Sequence, residues 1–236
     1  MSARHSKPLC TYCGLRTGAT RDHVPPRALF AKPRPDLVTV PCCEVCQKSQ
    51  SLDDEYFAQM ISMKSDTMDS ASIRAARESA LRSLTKPAKR RFAARFLGSI
   101  RDLALYSPSG IYLGQKLSYD VSHSRLCNVI ERTTRGLYLH EFGQRLPDDH
   151  RSKVWAIGGF DLAVPAILAQ IQKFWGHAAS GKRRDFGENV FTYWVRKIDG
   201  PEDATVWDFL VYGSVAFLAV TGPGVGQAPP SVPPMS

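Results

Sequence analysis

Polar and apolar positions change period several times along the chain. Val38-Thr39-Val40 is β-branched and stopped by Pro41, which predicts a short strand. A second strand ending near Asp22-His23 would pair with it, across a loop stiffened by Pro25, Pro26, Pro33 and Pro35. From Glu44 the period becomes helical and predicts a helix to about Met63. It exposes Gln47, Gln50 and Asp54 and buries Tyr56, Phe57, Met60 and Ile61. Lys86 to Arg101 predicts an amphipathic helix with Phe92, Phe96 and Ile100 on one face. Further on, Leu126 to Leu139 reads as a helix, Val154 to Ile157 as a strand and Ala166 to Trp175 as an apolar helix. Asn189 to Ile198 and Thr205 to Tyr212 read as strands, with Val215 to Val220 returning after Gly213-Ser214. The expected class is α+β, with a helix-backed, mostly antiparallel sheet in the C-terminal part.

These patterns divide the chain into residues 1–65, a polar and basic helical connector over 66–108, an α+β region over 109–221 and a Gly/Pro tail over 222–236. The tail has nothing with which to build a core and is expected to be disordered. No internal repeat is visible. The longest apolar run, Val206 to Val220, is broken by Asp208, Gly213 and Ser214 and reads as a hairpin, not a membrane span. Hydrophobic residues make up 43% of the chain, as in a soluble globular protein, and the net charge of +9 favours a polyanionic partner, nucleic acid first. The basic, polar start Met1-Ser2-Ala3-Arg4-His5 has no apolar run behind it, so a cytoplasmic location is expected.

The cysteines sharpen this picture. Cys10/Cys13 and Cys43/Cys46 form two Cys-x-x-Cys turns, each able to present two sulfurs to one tetrahedral Zn²⁺. A reducing compartment favours metal over disulfides. The 29 residues between the pairs exceed what a compact zinc ribbon uses, leaving room for a second function inside the loop. Cys42 and Cys127 have no such spacing and read as buried thiols. The bracketed module follows the order strand, loop, strand, helix, and it is too small to be stable without its metal.

The set Cys10-x-x-Cys13, Asp22-His23 and Cys43-x-x-Cys46 resembles the HNH, or ββα-metal, endonucleases, and most closely the zinc-bearing branch that includes endonuclease VII. Asp22-His23-Val24-Pro25-Pro26-x-x-Leu29-Phe30, Val40-Pro41-Cys42-Cys43-x-x-Cys46 and Ser51-x-Asp53-x-Glu55-Tyr56-Phe57 also resemble a group of bacterial HNH proteins of similar length. The likeness spans roughly residues 8–57. It implies hydrolysis of a nucleic-acid phosphodiester, DNA before RNA. His23 would be the general base, and Asp22 would ligate a catalytic Mg²⁺ or Mn²⁺ beside the structural zinc. The family's second metal ligand is usually an Asn directly after the last cysteine. Gln47 stands there, one methylene longer, with Gln50 and Asp54 one and two turns on as substitutes. The alternative is a zinc-stabilised nucleic-acid-binding protein in which Gln47 has cost the module its catalysis.

Arg21, Lys89, Arg90, Arg91 and Arg95 are candidate phosphate contacts, and Lys182-Arg183-Arg184 is a second basic cluster, expected in a loop. Glu131 to Gly143 gathers two arginines, a His and two Glu and is the most site-like stretch of the C-terminal part. Residues 109–221 would recognise a target, pair two protomers into a homodimer or take a regulatory protein partner.

Overall fold

A computed structural model describes residues 8–64, 69–157, 181–198 and 204–225. The fold is α+β with antiparallel sheets. Strand β1 (Thr20–Val24) pairs with β2 (Val38–Cys42), and α1 (Glu44–Met63) follows directly. The strand-loop-strand-helix order read from the sequence is therefore present. A single 3₁₀ turn over Arg27–Leu29 interrupts the proline-rich loop. Helix α2 (Ala71–Leu84) is capped by the Ser70 hydroxyl, which accepts from the Ile73 N–H. Helix α3 is shorter than the sequence suggests, Arg90–Gly98, because Pro87 opens the segment as a 3₁₀ turn and Gly98 ends it. Ile100 falls outside it; Phe92 and Phe96 pack on the core as expected.

Strands β3 (Arg101–Tyr106) and β4 (Tyr112–Ser118) form a hairpin that the sequence did not announce. Its apolar residues do not alternate cleanly with polar ones. Then α4 (His123–Phe142) runs three residues beyond the predicted helix at each end. Strand β5 is His150–Ile157, twice the predicted length.

The final sheet has the order β5-β9-β8-β7-β6, all antiparallel, with β6 Lys182–Phe186, β7 Phe191–Lys197, β8 Thr205–Val211 and β9 Val215–Pro223. Two expectations change here. Lys182-Arg183-Arg184 is a strand rather than a loop, at the edge of the sheet among the described residues, and charge on an edge discourages pairing with other chains. The strand through Thr221 continues to Pro223, so Gly222 and Pro223 belong to the sheet and not to the tail. The predicted apolar helix over 166–175 and the tail beyond Val225 lie outside the described residues.

One continuous core joins segments that the sequence divided. Val24, Leu29 and Val40 of the cysteine-bracketed module pack with Phe57 and Ile61 of α1, Leu137 and Tyr138 of α4, and Phe209 and Phe217 of the sheet. The Phe57 and Phe217 rings lie 5.7 Å apart, and Tyr212 donates its hydroxyl to the Leu29 carbonyl at 3.0 Å. Helix α4 therefore serves both halves. It lies on β1 and β2 on one side and on the large sheet on another. Gly136 permits that approach, since a Cβ there would lie 2.6 Å from Cγ2 of Val24. No described helix is long and apolar enough to cross a membrane.

Candidate metal centre and the surrounding polar site

The two cysteine turns meet as their spacing predicts. In the first, Gly14 takes φ +64 and its N–H bonds to the Cys10 carbonyl at 2.9 Å, which folds Cys10 and Cys13 into one knuckle. The Thr11 N–H reaches the Pro41 carbonyl at 2.9 Å and ties this knuckle to the end of β2. In the second, extended Cys43 caps α1 and Cys46 lies in its first turn. The ligand atoms of Cys10, Cys13, Cys43 and Cys46 all lie within 4.8 Å of one another, with Cys13 Sγ and Cys43 Sγ at 3.9 Å. Zn–S bonds of about 2.3 Å in a tetrahedron put sulfurs roughly 3.8 Å apart, so the four could hold a metal such as zinc.

The sulfur environments agree with this. The Leu15 backbone N–H brings the Cys13 thiol down to about 6, and the Cys46 N–H beside Cys43 lowers that thiol too. Burial pushes Cys46 the other way, so a bound cation would be needed to hold it as a thiolate. Cys42 is a buried thiol, as expected. Burial raises it to about 12, and its Sγ contacts the Cys43 carbonyl at 3.3 Å. Cys127 is only half-buried, short of the expectation.

Asp22 and His23 part company. Residues adjacent on a strand face opposite sides of the pleat. Asp22 and Val24 turn toward α4, whereas Arg21 and His23 turn away, His23 opposite Thr39. Asp22 Oδ2 accepts a 2.6 Å hydrogen bond from the Tyr12 hydroxyl and lies 3.7 Å from the Arg132 guanidinium. Arg132, from the middle of α4, also donates to Gln50 Oε1 at 2.9 Å and pairs with the Asp54 carboxylate. The side chains of Arg132, Asp22 and Asp54 are 8%, 15% and 18% exposed, so this is a nearly dry cluster. The guanidinium stays charged there. Burial opposes its charge, but the Asp54 carboxylate first, and Asp22 with it, more than compensate. Asp54 responds differently. Its own burial outweighs the attraction of Arg132 and raises its carboxyl to about 6. Of the pair, the charged guanidinium is the secure member, because Arg does not deprotonate in proteins.

This arrangement bears on the second, catalytic ion. Gln47 is exposed on the first turn of α1. Asp22 Oδ2 is already engaged by Tyr12 and Arg132. Gln50 and Asp54 do lie on the Asp22 side, but each is bound to Arg132. The guanidinium thus stands among the oxygens that a divalent cation would need, and the donor set does not fit a bound Mg²⁺ or Mn²⁺.

On the other face, His23 lines an open groove of about 780 Å³ with Arg27, Lys32, Arg34 and Asp36. Burial first and Arg27 next lower the imidazole below its ordinary value of 6.5, so it is neutral near pH 7. Arg21 is exposed on the same strand face. Arg90, Arg91 and Arg95 are exposed on α3. Lys89 is not available in the same way, since it pairs with Glu55 of α1.

The stretch Glu131–Gly143 is divided. Arg132 enters the buried cluster. Arg135 pairs with Glu131 at 3.1 Å. Glu141 holds Tyr193 and Lys182, each at 2.5 Å, and His140 contacts Arg184. The sequence reading did not single out Tyr12 or Arg132 individually. Arg132 did carry a signal: a cation inside the stripe Val129, Thr133, Gly136, Leu137 that packs inward. No family model, curated protein or solved structure matches the chain.

Proposed function

We propose that the protein is a nucleic-acid phosphodiester hydrolase of the HNH type, with DNA the favoured substrate and His23 the general base. The observation that supports this best is the half-exposed, neutral His23 at a groove whose lining carries three cations, Arg27, Lys32 and Arg34, against one carboxylate, Asp36. Cations there attract a phosphate and offset the charge that builds on its oxygens as water attacks. A neutral imidazole within reach takes the proton of that water as the new P–O bond forms and the bond to the 3′ oxygen breaks. The zinc-binding cysteines have a structural part in this reading, since they pin the loop that carries β1 to the start of α1. No step is routed through a divalent ion at Asp22, whose oxygen is held by Tyr12 and Arg132.

The test is incubation of plasmid DNA with zinc-loaded protein, alone and with Mg²⁺ or Mn²⁺. Nicking or linearisation should occur and be lost in His23→Ala. Cleavage by His23→Ala at the parent's rate sinks the assignment. The engagement of Asp22 by Arg132 and the exposed Gln47 favour one second reading, a zinc-stabilised nucleic-acid-binding protein without catalysis. It predicts retained DNA binding with no cleavage under any divalent ion.

A further inference from the structure

A separate cleft of about 750 Å³ opens between α1, α3 and the turn leading into α4. Its volume is in the range that takes a small planar ligand. Phe92 and Phe96, four residues apart on α3, line it together with Tyr56 of α1. The Tyr56 and Phe92 rings meet edge to face at 6.0 Å, and the Arg125 guanidinium lies 4.0 Å from the Tyr56 centroid. Arg125 is fixed by Asp53 at 2.6 Å, so Tyr56 is held from one side by a preset cation. Among the described residues the lining holds one carboxylate, Asp120, which is paired with Arg101.

Arg95 also lines the cleft. It is exposed, and Arg90 and Arg91 precede it on the same helix. None of the three forms an ion pair with any described residue. A cleft with half-buried aromatic side chains, Arg95 in its lining and two further exposed arginines on the same helix suits one ligand chemistry: a flat aromatic base joined to a phosphate backbone. Duplex DNA keeps its bases stacked on each other and offers none to a protein cleft, whereas an unpaired strand offers every base.

We propose that this cleft binds an unpaired nucleotide of a nucleic-acid strand, its base stacked on Phe92 and Phe96 and its phosphates on Arg95, Arg90 and Arg91. The proposal rests on the nucleic-acid reading above but uses a different surface from the His23 groove. It would direct the protein to single-stranded or frayed substrates.

Binding is measured with zinc-loaded full-length protein carrying His23→Ala, so that cleavage does not enter. The probe is an oligothymidylate bearing one 2-aminopurine, with the matched duplex and the ribonucleotide version as further arms. The single strand should bind more tightly than the duplex, and its 2-aminopurine emission should be quenched on stacking. Phe92→Leu should weaken single-strand binding roughly tenfold and relieve the quenching, while Phe92→Trp retains both. Arg95→Ala should lower the slope of log affinity against log salt by about 0.7. Circular dichroism and zinc content show whether Phe92→Leu still folds; if it does not, Arg95→Ala and Phe92→Trp carry the test alone. Equal affinity for duplex and single strand, with no change in Arg95→Ala, overturns the cleft assignment and leaves the His23 proposal standing. Single-strand binding that follows the predictions in a protein that never cleaves overturns the hydrolase and leaves the cleft.

Discussion

Replacing Arg132 with Met keeps an apolar stem on α4 and removes the guanidinium from the buried cluster. Asp54 and Asp22 then face one another with no cation between them. At an effective dielectric of about 20, opposite unit charges about 4 Å apart attract by roughly 4 kcal/mol. Desolvation of the guanidinium, relieved in the variant, offsets part of this. Removing one partner of a buried pair costs a net of about 3–5 kcal/mol, because the remaining charge stays buried. For a chain of this size that lowers Tm by roughly 6–20 °C. The loss should depend on pH, and its sign follows from Asp54. Its carboxyl is already raised to about 6 from 3.8, with burial the first cause and Arg132 opposing it. Without the guanidinium it rises further. A carboxyl raised in the folded state contributes stability below its unfolded value and loses it as pH climbs through the folded value. The gap between parent and Arg132→Met should therefore be smaller at pH 6 than at pH 8. Adding Asp54→Asn should recover part of it at pH 8. Thermal or urea melts of the three proteins at both pH values measure this. A loss under about 1 kcal/mol, or a gap of equal size at both pH values, refutes the account of the cluster.

Other consequences follow from the same geometry. Cys13→Ser or Cys46→Ser should abolish zinc retention by metal analysis, and a chelator should lower the Tm of the parent but not of these variants. Gly136→Ala would set a Cβ against Val24, a stiff β-branched side chain, and should cost about 1–3 kcal/mol. Adding Val24→Ala should return part of that loss in the same melts. The imidazole of His23 lies below 6.5 through burial and then Arg27, and it is competent as a base only when neutral. The acid limb of kcat/KM for DNA cleavage should thus fall below pH 6.5, and Arg27→Ala should move it upward.

Much of the module's order was legible because cysteine spacing, proline and β-branching are local signals. Val38-Thr39-Val40 and the start of α1 needed no tertiary information. The misses have tertiary causes. Lys182-Arg183-Arg184 looks like a loop until Phe191–Lys197 offers it a strand to pair with. The Arg101–Ser118 hairpin has apolar residues on exposed positions such as Leu103, Leu113 and Leu117, so no burial pattern betrays it. Arg132 lies 110 residues from Asp22 and 78 from Asp54, and nothing local links them. Their meeting depends on Gly136, one turn further along α4, where the helix touches Val24.

The separation of Asp22 from His23 was contained in the strand assignment itself. Once residues 20–24 are a strand paired with 38–42, neighbours must face opposite ways, and both cannot point at α1. One side of this hairpin then becomes interior. Asp22 is there with Val24, and α4 covers both. Such a site needs its charge balanced from within the fold, and Arg132 does that without a metal ion. The other side stays open, and His23 and Arg21 share it with the cations of the proline-rich loop. In the proposed reaction a phosphate would approach from that open face. On that proposal, chemistry at His23 would depend on the loop from Arg27 to Arg34, with the buried cluster holding β1 beneath it.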